Sequence, residues 1–496
     1  MKKNNLFKAV GIVILAYVLF SWIVPIIYGI VGAEGEVSHQ IGIISIFSVV
    51  LETFSGFGSV ILYVLLVGAF YGVLKVTGAY DKIMNSFMKF ASGKEQTLLI
   101  AIMIIMALLS SFAGLDLGFL VVIPFLIGFI VKVGYNKLIA LSATVGSIII
   151  GMYGATFSGT LYGYNNEILS LKSTDQLLFK VILFVLGLAL LISFVLMYCK
   201  KNNLVGDASK ALKASSTKEK TVKASASSKS SKKSVNEKVA KDKKDKTTKE
   251  RGPVGAIIVS SIMLLVMILG TISWKSMLGV SSFENLHKSW TELKIGGFDI
   301  LNKIFGGIDA FGTWNTPVRF QTYSILLIIA MIIIAIIYRT SVKDTFEGFV
   351  DGIKSFVVPA IITILACSVF VFVYYNPVIT PVTQLLLTAT DEFNVALSGI
   401  YTIINSAVYV DYYYFANAVL YSIASVYEDS AVLSIISVMF ANLYSLVMLV
   451  APTSVLLLIG LSISDVEYTS WIKYIWKLAL ALLLLSFIVF VIMLLV

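Results

Sequence analysis

Apolar stretches of membrane-spanning length recur along most of the chain, and they limit its fold more than any other feature. A transmembrane helix needs about 20 mainly apolar residues. Such stretches lie at residues 8–31, 58–76, 138–153, 176–198, 254–272, 320–338, 356–375 and 431–450, and a last one begins near Lys473. Hydrophobic residues make up 58% of the sequence, more than a soluble core could enclose. The sequence therefore predicts an all-α, polytopic membrane protein with about nine spans.

Two further apolar segments are interrupted by small polar residues in the same way, one in each half of the chain. The interrupting residues are Ser110, Ser111 and Asp116 in the first segment, and Asn405, Ser406 and Asp411 in the second. In both segments the aspartate lies five residues after the second of the small polar residues, since 116 − 111 = 5 and 411 − 406 = 5. Unwound polar backbone at membrane depth persists only where protein or a water-filled cavity satisfies it. Paired breaks of this kind are typical of the binding site of a secondary transporter.

The distribution of lysine and arginine predicts how the spans are oriented, because cytoplasmic loops carry an excess of these residues. Lys94 and Lys132 flank the stretch 97–133, so this stretch enters and leaves on the cytoplasmic side, either as two full crossings or as a re-entrant hairpin. Residues 376–430 contain neither lysine nor arginine, which places a second hairpin region outside. The two halves are thus predicted to form an inverted repeat.

The predicted domains are an N-terminal repeat at 1–199, a linker at 200–252, and a C-terminal repeat at 253–496 with an external segment at 274–318. Residues 200–251 hold 17 Lys and Arg against 6 Asp and Glu, so the formal charge of +10 arises there and does not indicate a nucleic-acid partner. The linker has few large apolar residues, so burial cannot offset its ordering entropy. We interpret it as a disordered cytoplasmic tether rather than a contact for anionic lipid or nucleic acid.

Asp116 and Asp411 are the strongest candidates for a functional role. A carboxylate within hydrocarbon is costly and persists mainly where it is paired, hydrated or functional. Both residues are therefore candidates for binding a substrate or a coupling ion. The alternative is that each one caps a half-helix that begins at its break.

A second pair of polar segments follows the hairpins, at residues 154–160 and 451–454. Glycine or proline interrupts the helix in each, and hydroxyl groups beside the freed carbonyls can bind a cation or a polar solute. The alternative is that these hydroxyls bond to carbonyls within ordinary helices. The candidate residues are Thr156, Ser158, Thr160, Thr453 and Ser454.

Other residue types argue against an enzyme. His39 and His287 are the two histidines, and neither lies in a deep segment, so the commonest general base is missing. The two cysteines and two histidines do not support a metal site, and no Walker-type loop is present. We predict no catalytic residue, metal or cofactor, with Na⁺ or H⁺ as the coupling ion and a small-molecule substrate and membrane lipid as partners.

Arg319 lies beside Pro317 at the predicted start of the span 320–338. We interpret it as an anchor at the membrane boundary rather than a residue that recognises an anion. Tyr409, Tyr412, Tyr413 and Tyr414 flank Asp411, and we assign them to an aromatic belt or to hairpin packing rather than to stacking on a ligand.

Three stretches of the chain resemble the YfcC family of bacterial permeases. They are residues 61–82, 151–165 and 451–473, and the last contains Pro-Thr-Ser followed by Tyr-x-x-Trp-x-Lys. That family is related to anaerobic C4-dicarboxylate carriers and to basic amino acid antiporters within the ion transporter superfamily. The resemblance implies inverted repeats with re-entrant hairpins and a midplane site, in a homodimer of the bacterial cytoplasmic membrane.

The charges at the breaks guide the prediction of substrate. A dianion needs a cation or several helix N-termini to offset its charge, yet no arginine lies inside a predicted hairpin or break. The two aspartates suit a cationic group instead. We therefore predict a secondary active transporter, a permease or antiporter, for an amino acid such as a basic one. A C4-dicarboxylate or short-chain fatty acid carrier is the alternative, and a passive channel is less favoured.

Overall fold

The computed structural model describes residues 4–31, 40–209, 252–305, 308–387, 389–390 and 392–496. These residues are largely helical and contain no strand apart from an isolated bridge between Ile295 and Phe298. Nine of the described helices are long and apolar enough to cross a bilayer. The predicted all-α, polytopic membrane fold is therefore confirmed.

The helices are numbered here in chain order. The first half contains α1 (Asn4–Val31), α2 (Ser45–Val76), α3 (Ala79–Ala91), α4 (Glu95–Ala113), α5 (Ile123–Val133), α6 (Lys137–Tyr153), α7 (Gly159–Ile168) and α8 (Leu177–Lys201). The second half contains α9 (Val254–Thr271), α10 (Trp274–Leu278), α11 (Ser282–Glu292), α12 (Ile300–Phe305), α13 (Arg319–Tyr338), α14 (Val342–Tyr375), α15 (Ile379–Gln384), α16 (Val395–Ser406), α17 (residues 412–424), α18 (Ser430–Met448), α19 (Val455–Ser464) and α20 (Tyr468–Leu495).

The same order of elements occurs in both halves. In the first half, α1 and α2 are followed by the hairpin α4–α5, the interrupted helix α6–α7 and the long helix α8. In the second half, α13 and α14 are followed by the hairpin α16–α17, the interrupted helix α18–α19 and the long helix α20. Helix α9 has no counterpart in the first half. As one additional crossing, it lets the second half begin on the opposite side of the membrane, as an inverted repeat requires.

Helices α2 and α14 occupy equivalent places in the two halves and form the most extensive helix contact in the protein. Gly68 and Gly72 of α2 face Gly352 and Gly348 of α14, respectively. Residue numbers rise along one helix as they fall along the other, so the two helices run antiparallel. Glycines at four-residue spacing let helix backbones approach closely in a membrane.

Both of these helices are longer than the sequence predicted. The expected spans began at residues 58 and 356, whereas α2 begins at Ser45 and α14 at Val342. Residues 45–57 therefore belong to α2, and residues 32–39 lie outside the described ranges. The backbone of α2 is not helical at Phe57, where φ is −111° and ψ is 15°, so the helix is kinked there and its segment 58–76 coincides with the predicted span. The added residues 342–355 of α14 include Lys343, Asp344, Glu347, Asp351 and Lys354, so apolar patterning does not mark them.

The first hairpin returns to the side from which it enters. Glu95, at the start of α4, accepts a hydrogen bond from the amide of Ala208 over 3.0 Å. The carbonyl of Val133, at the end of α5, accepts one from the amide of Asp207 over 2.8 Å. Both ends therefore lie beside the segment that follows α8. Because α5 has 11 residues, it is about 16 Å long and too short to cross the membrane, so the hairpin is re-entrant.

The second hairpin also has its two ends together. The rings of Phe393, before α16, and Tyr427, after α17, have centroids 5.3 Å apart. This hairpin follows the C-terminal end of α14, as the first follows the C-terminal end of α2. Since α2 and α14 are antiparallel, the two hairpins approach the centre of the protein from opposite sides.

The predicted linker at 200–252 lies mostly outside the described residues, and so does its predicted disorder. Its first part is folded, since α8 continues to Lys201 and Ala208 is fully buried against the first hairpin. The expectation of a tether that begins at residue 200 is therefore wrong for residues 200–209, which are held by the contacts of Asp207 and Ala208 with α5 and α4.

The close crossing of α2 and α14 predicts that Gly72→Ala destabilises the protein. A Cβ atom at Gly72 would overlap the carbonyl oxygen of Gly348, and overpacking of this kind costs about 1–3 kcal/mol. Thermal unfolding of the purified protein in detergent should show a lower melting temperature for this variant.

Gly11→Ala in α1 is the matched control, because no atom lies within 4 Å of the position that its Cβ would take. Alanine is the better helix former, so this variant should melt at or slightly above the wild-type temperature. Equal melting of Gly72→Ala and Gly11→Ala would contradict the close crossing.

Candidate functional site

The tip of the first hairpin is bonded to the interruption between α6 and α7. The Ser111 hydroxyl donates to the Gly154 carbonyl over 2.7 Å, and the Thr156 amide donates to the Ser111 carbonyl over 3.0 Å. The Ser110 hydroxyl donates to the Ile148 carbonyl over 2.9 Å. Helix ends leave carbonyls without intrahelical partners, and the hairpin serines supply donors to the carbonyls at this interruption.

Gly114 forms the turn at that tip. Its φ of +71° is left-handed, a conformation that glycine adopts without steric cost. The hydroxyl of Thr160 donates to the Gly114 carbonyl over 3.0 Å, and the hydroxyls of Thr160 and Ser158 lie 3.0 Å apart. These two hydroxyls occupy the space on the side where a Cβ atom would point, since each lies 2.7 Å from that position. The polar segment 154–160 therefore holds the hairpin tip in place.

The tip of the second hairpin meets the interruption between α18 and α19 in the same manner. The Thr453 hydroxyl donates to the Ala407 carbonyl over 2.7 Å. The freed carbonyls of Leu449 and Val450 accept hydrogen bonds from the side chains of Trp471 and Tyr468 of α20, respectively. Tyr468 and Trp471 belong to the Tyr-x-x-Trp-x-Lys motif, so the structure gives that motif a physical role in completing the interruption.

The two hairpin tips meet at Arg319, the first residue of α13. Its Nη2 atom lies 2.8 Å from Asp116 Oδ2, 3.1 Å from Asp116 Oδ1 and 3.8 Å from Asp411 Oδ2. The side chain of Arg319 is 2% exposed, and those of the two aspartates are 19% and 22% exposed. One guanidinium group therefore connects carboxylates from hairpins that approach from opposite sides.

This cluster carries a net charge of −1 when all three groups are ionised. Two unit charges 4 Å apart interact by about 4 kcal/mol at an effective dielectric constant of about 20. Removing one partner from a buried ion pair is strongly destabilising, because the other charge stays buried without compensation. The Nε atom of Arg319 is buried and has no hydrogen-bond acceptor among the described residues, so the guanidinium keeps an unused donor.

Asp411 has a second contact that Asp116 lacks. Its Oδ1 atom accepts a hydrogen bond from the Tyr413 amide over 2.9 Å and so caps the start of α17. The side chain of Asp116 caps no helix in the structure. Asp411 therefore caps a helix, as one of the two alternatives predicted, and its role in binding a substrate or a coupling ion stays a prediction.

A cavity with room for a few water molecules, about 60 Å³, adjoins the cluster. Its polar lining includes Asp116, Asp411 and Ser454, and the other described residues that line it are neutral. Aromatic side chains dominate one part of the wall, namely Phe57, Phe320, Tyr412, Tyr414 and Tyr444. The site thus combines an aromatic wall with a compact group of charges at the junction of both hairpins.

Most of the other predicted site residues support this junction instead of lining the cavity. Ser110, Ser111, Thr156, Thr160 and Thr453 bond to hairpin or interruption carbonyls, as described above, and Ser158 contacts Thr160.

Two predicted residues of the second hairpin are occupied within their own half of the chain. Asn405 accepts from the Thr380 hydroxyl over 2.8 Å and donates to that of Thr383 over 2.8 Å. The hydroxyl of Ser406 donates to the Thr402 carbonyl over 2.6 Å. Asn405 therefore fixes the hairpin to α15, and Ser406 bonds within its own helix.

The interpretation of Arg319 as an anchor at the membrane boundary is wrong, because its side chain is buried between the two aspartates.

The predicted external segment 274–318 reaches the site at both ends. Asn315 donates to the Ser273 hydroxyl over 3.3 Å, and both side chains lie against Gly159 at the start of α7. Helix α13 therefore begins beside the hairpin tips. The signal in the sequence was the demand of two deep aspartates for a cation.

Comparison with known proteins relates the chain to a family of carriers. The profile of the DcuC family, described as the C4-dicarboxylate anaerobic carrier, matches residues 23–495. The crystal structure of the Alcanivorax borkumensis YdaH transporter is similar, with a TM-score of 0.40 and 13% sequence identity, over 96% of this chain and 97% of that one. No curated protein has a matching sequence.

The contacts of the first tip predict that Gly114→Ala destabilises the protein. A left-handed conformation costs a non-glycine residue about 1–2 kcal/mol, and the new Cβ would also lie 2.7 Å from two hydroxyl oxygens. Thermal unfolding should therefore show a lower melting temperature.

Gly93→Ala separates the two effects. Gly93 has a φ of +79° and no atom within 4 Å of the Cβ position, so its substitution carries the backbone strain alone. The loss of stability should be larger for Gly114→Ala. If Gly93→Ala lowered the melting temperature as much, the packing of the tip would not matter.

Proposed function

The chain belongs to the C4-dicarboxylate anaerobic carrier family, and from that premise we propose that it is a secondary transporter that moves a small carboxylate-bearing solute by alternating access. The observation that carries this proposal is the cluster of Asp116, Arg319 and Asp411 at the junction of the two hairpins. Charged groups deep in a membrane protein mark substrate and ion pathways. Paired hairpins and interrupted helices at such a cluster are the architecture that alternating access uses.

The two hairpins supply the moving parts of this mechanism. Each tip is hydrogen-bonded to the interruption of its own half, through Ser111 and Thr156 in the first and Thr453 in the second. The halves meet at the guanidinium of Arg319. Exposure of the cavity to one side then requires one tip and its interruption to move as a unit, while the other half keeps the opposite side closed.

An amino acid is the substrate class that fits the charges of the cluster best. Its ammonium group would pair with Asp116 or Asp411, and its carboxylate would accept from Arg319, whose Nε has no acceptor within the described ranges. Arg–carboxylate contacts of this kind are strong and directional. A zwitterion leaves the net charge of −1 unchanged, and a basic amino acid neutralises it.

A C4-dicarboxylate is the second candidate, favoured by the family match over residues 23–495. Arg319 supplies the cation whose absence from the predicted hairpins argued against such a substrate. Both aspartates already face that cation, however, so a dianion would raise the net charge of the site to −3. It would have to enter with protons or metal cations that offset this charge.

Counterflow into proteoliposomes distinguishes these substrates. Vesicles preloaded with unlabelled solute would be tested with labelled arginine, ornithine, malate and succinate, with sodium and pH varied. We expect saturable uptake of an amino acid that is stimulated by the same solute inside. Uptake of malate or succinate alone would favour the dicarboxylate, and flux without saturation or trans-stimulation would contradict a carrier.

Asp411→Asn should abolish counterflow while leaving the protein folded in the membrane. Asparagine caps helices as well as aspartate does, so the contact with the Tyr413 amide survives and the lost element is the charge that faces Arg319. Initial rates and the amount of inserted protein would be measured together.

Asp429→Asn is the matched control, because exposed Asp429 caps α18 through the Ala431 amide over 2.8 Å. This variant carries the same chemical change at a helix cap that is not part of the cluster of Asp116, Arg319 and Asp411. It should therefore transport at the wild-type rate. Wild-type flux in Asp411→Asn would remove that carboxylate from the mechanism.

A further inference from the structure

We propose that Arg319 is a tethered counter-cation, which occupies the place between Asp116 and Asp411 that a free monovalent metal cation would otherwise take. This inference rests on the proposed transport function, since it concerns the same site. Its consequence is that wild-type exchange needs no added sodium, whereas loss of the guanidinium turns the two carboxylates into a sodium site.

The geometry places a single cationic group between carboxylates of two different hairpins. Nη2 of Arg319 lies 2.8 Å from an oxygen of Asp116 and 3.8 Å from an oxygen of Asp411. The aspartates belong to different hairpins, so their mutual repulsion acts across the junction on which closure depends. Carboxylate oxygens are also the ligands that hard cations prefer, so either a bound ion or a side chain can fill this position.

The guanidinium is held in this position by its own helix and the residues before it. Its Nη1 atom donates to the Asn315 carbonyl over 3.3 Å, and its central carbon lies 4.7 Å from the centroid of the Phe320 ring. Neither contact involves a hairpin. Arg319 can therefore stay in place while a hairpin and its aspartate move, as a diffusible ion could not.

The buried Nε atom indicates what happens when substrate binds. It has no acceptor among the described residues, although a buried donor without a partner is costly. A substrate carboxylate can take this donor, while the substrate's cationic group takes the carboxylate that Arg319 gives up. The guanidinium of Arg319 and the cationic group of the substrate thus compete for the same two aspartates.

Removal of the guanidinium changes the charge of the empty cluster from −1 to −2. Two facing carboxylates in a low-dielectric site repel each other and cannot both stay ionised without compensation. A sodium ion from solution can restore the original charge. Replacement of Arg319 by lysine keeps a tethered cation and should not create a sodium requirement.

The test measures sodium binding by thermal unfolding of purified protein in detergent, at fixed pH and equal ionic strength of sodium or choline chloride. We expect Arg319→Gln to gain a saturable increase in melting temperature with sodium, as a ligand that binds the folded state must produce. Wild type and Arg319→Lys should melt equally in both salts. Arg319→Gln combined with Asp411→Asn should lose the sodium effect, because one carboxylate is gone.

Arg339→Gln is the matched control, since Arg339 is exposed at the other end of α13. It should melt equally in both salts. Counterflow is the second readout: wild-type exchange should proceed at the same rate in sodium and in choline chloride, because the counter-cation is part of the chain.

Four results would overturn the proposal. The first three are a sodium-dependent wild type, no sodium effect on the melting of Arg319→Gln, and an equal effect on its Asp411→Asn double variant. Stabilisation of Arg319→Gln by low pH alone, equal in both salts, would also overturn it, since protonation would then replace the ion. The thermal readout needs no substrate. A failed counterflow panel with sodium-specific melting would therefore contradict the proposed function and leave the tethered cation supported.

Discussion

The ion cluster of Asp116, Arg319 and Asp411 is the interaction on which the rest of this structure depends. Charged side chains deep in a membrane protein persist only when their partners are close, and here the partners come from three separate parts of the chain. The first hairpin, the second hairpin and α13 must therefore reach one point. The antiparallel packing of α2 against α14 makes this geometry possible, because it directs the following hairpins toward each other from opposite sides.

Interrupted helices at this depth are stabilised because other elements donate hydrogen bonds to several of the carbonyls at the interruptions. Ser111 supplies one in the first half, and Asn442 of the second half donates to the Tyr153 carbonyl over 2.8 Å. Trp471 and Tyr468 supply those of the second interruption. The polar residues at the breaks therefore serve mainly as hydrogen-bond partners for the unwound backbone within the membrane. This leaves few of them free to line the cavity, which is completed by the two carboxylates and the aromatic wall.

Sequence reasoning predicted what is encoded locally. Repeated apolar runs indicated the helical fold, and the matched breaks indicated Asp116 and Asp411. It failed where distant parts of the chain meet. Arg319 is 203 residues from Asp116, and its place before an apolar run resembles that of an ordinary anchor. The predicted start of α2 at residue 58 coincides with the kink at Phe57, and no pattern in the sequence indicated that the preceding residues 45–56 form a helix joined to it.

Charge balance connects this architecture to the choice of substrate. Since the empty cluster already holds one cation between two carboxylates, whatever binds must exchange with that arrangement and not simply add to it. A solute with both an anionic and a cationic group can replace each internal contact with an equivalent one. A dianion can replace the aspartates only as acceptors for Arg319. The aspartates then face the negative charge of the dianion. Such a solute requires cations to enter with it, so the same site would select the coupling ion together with the substrate.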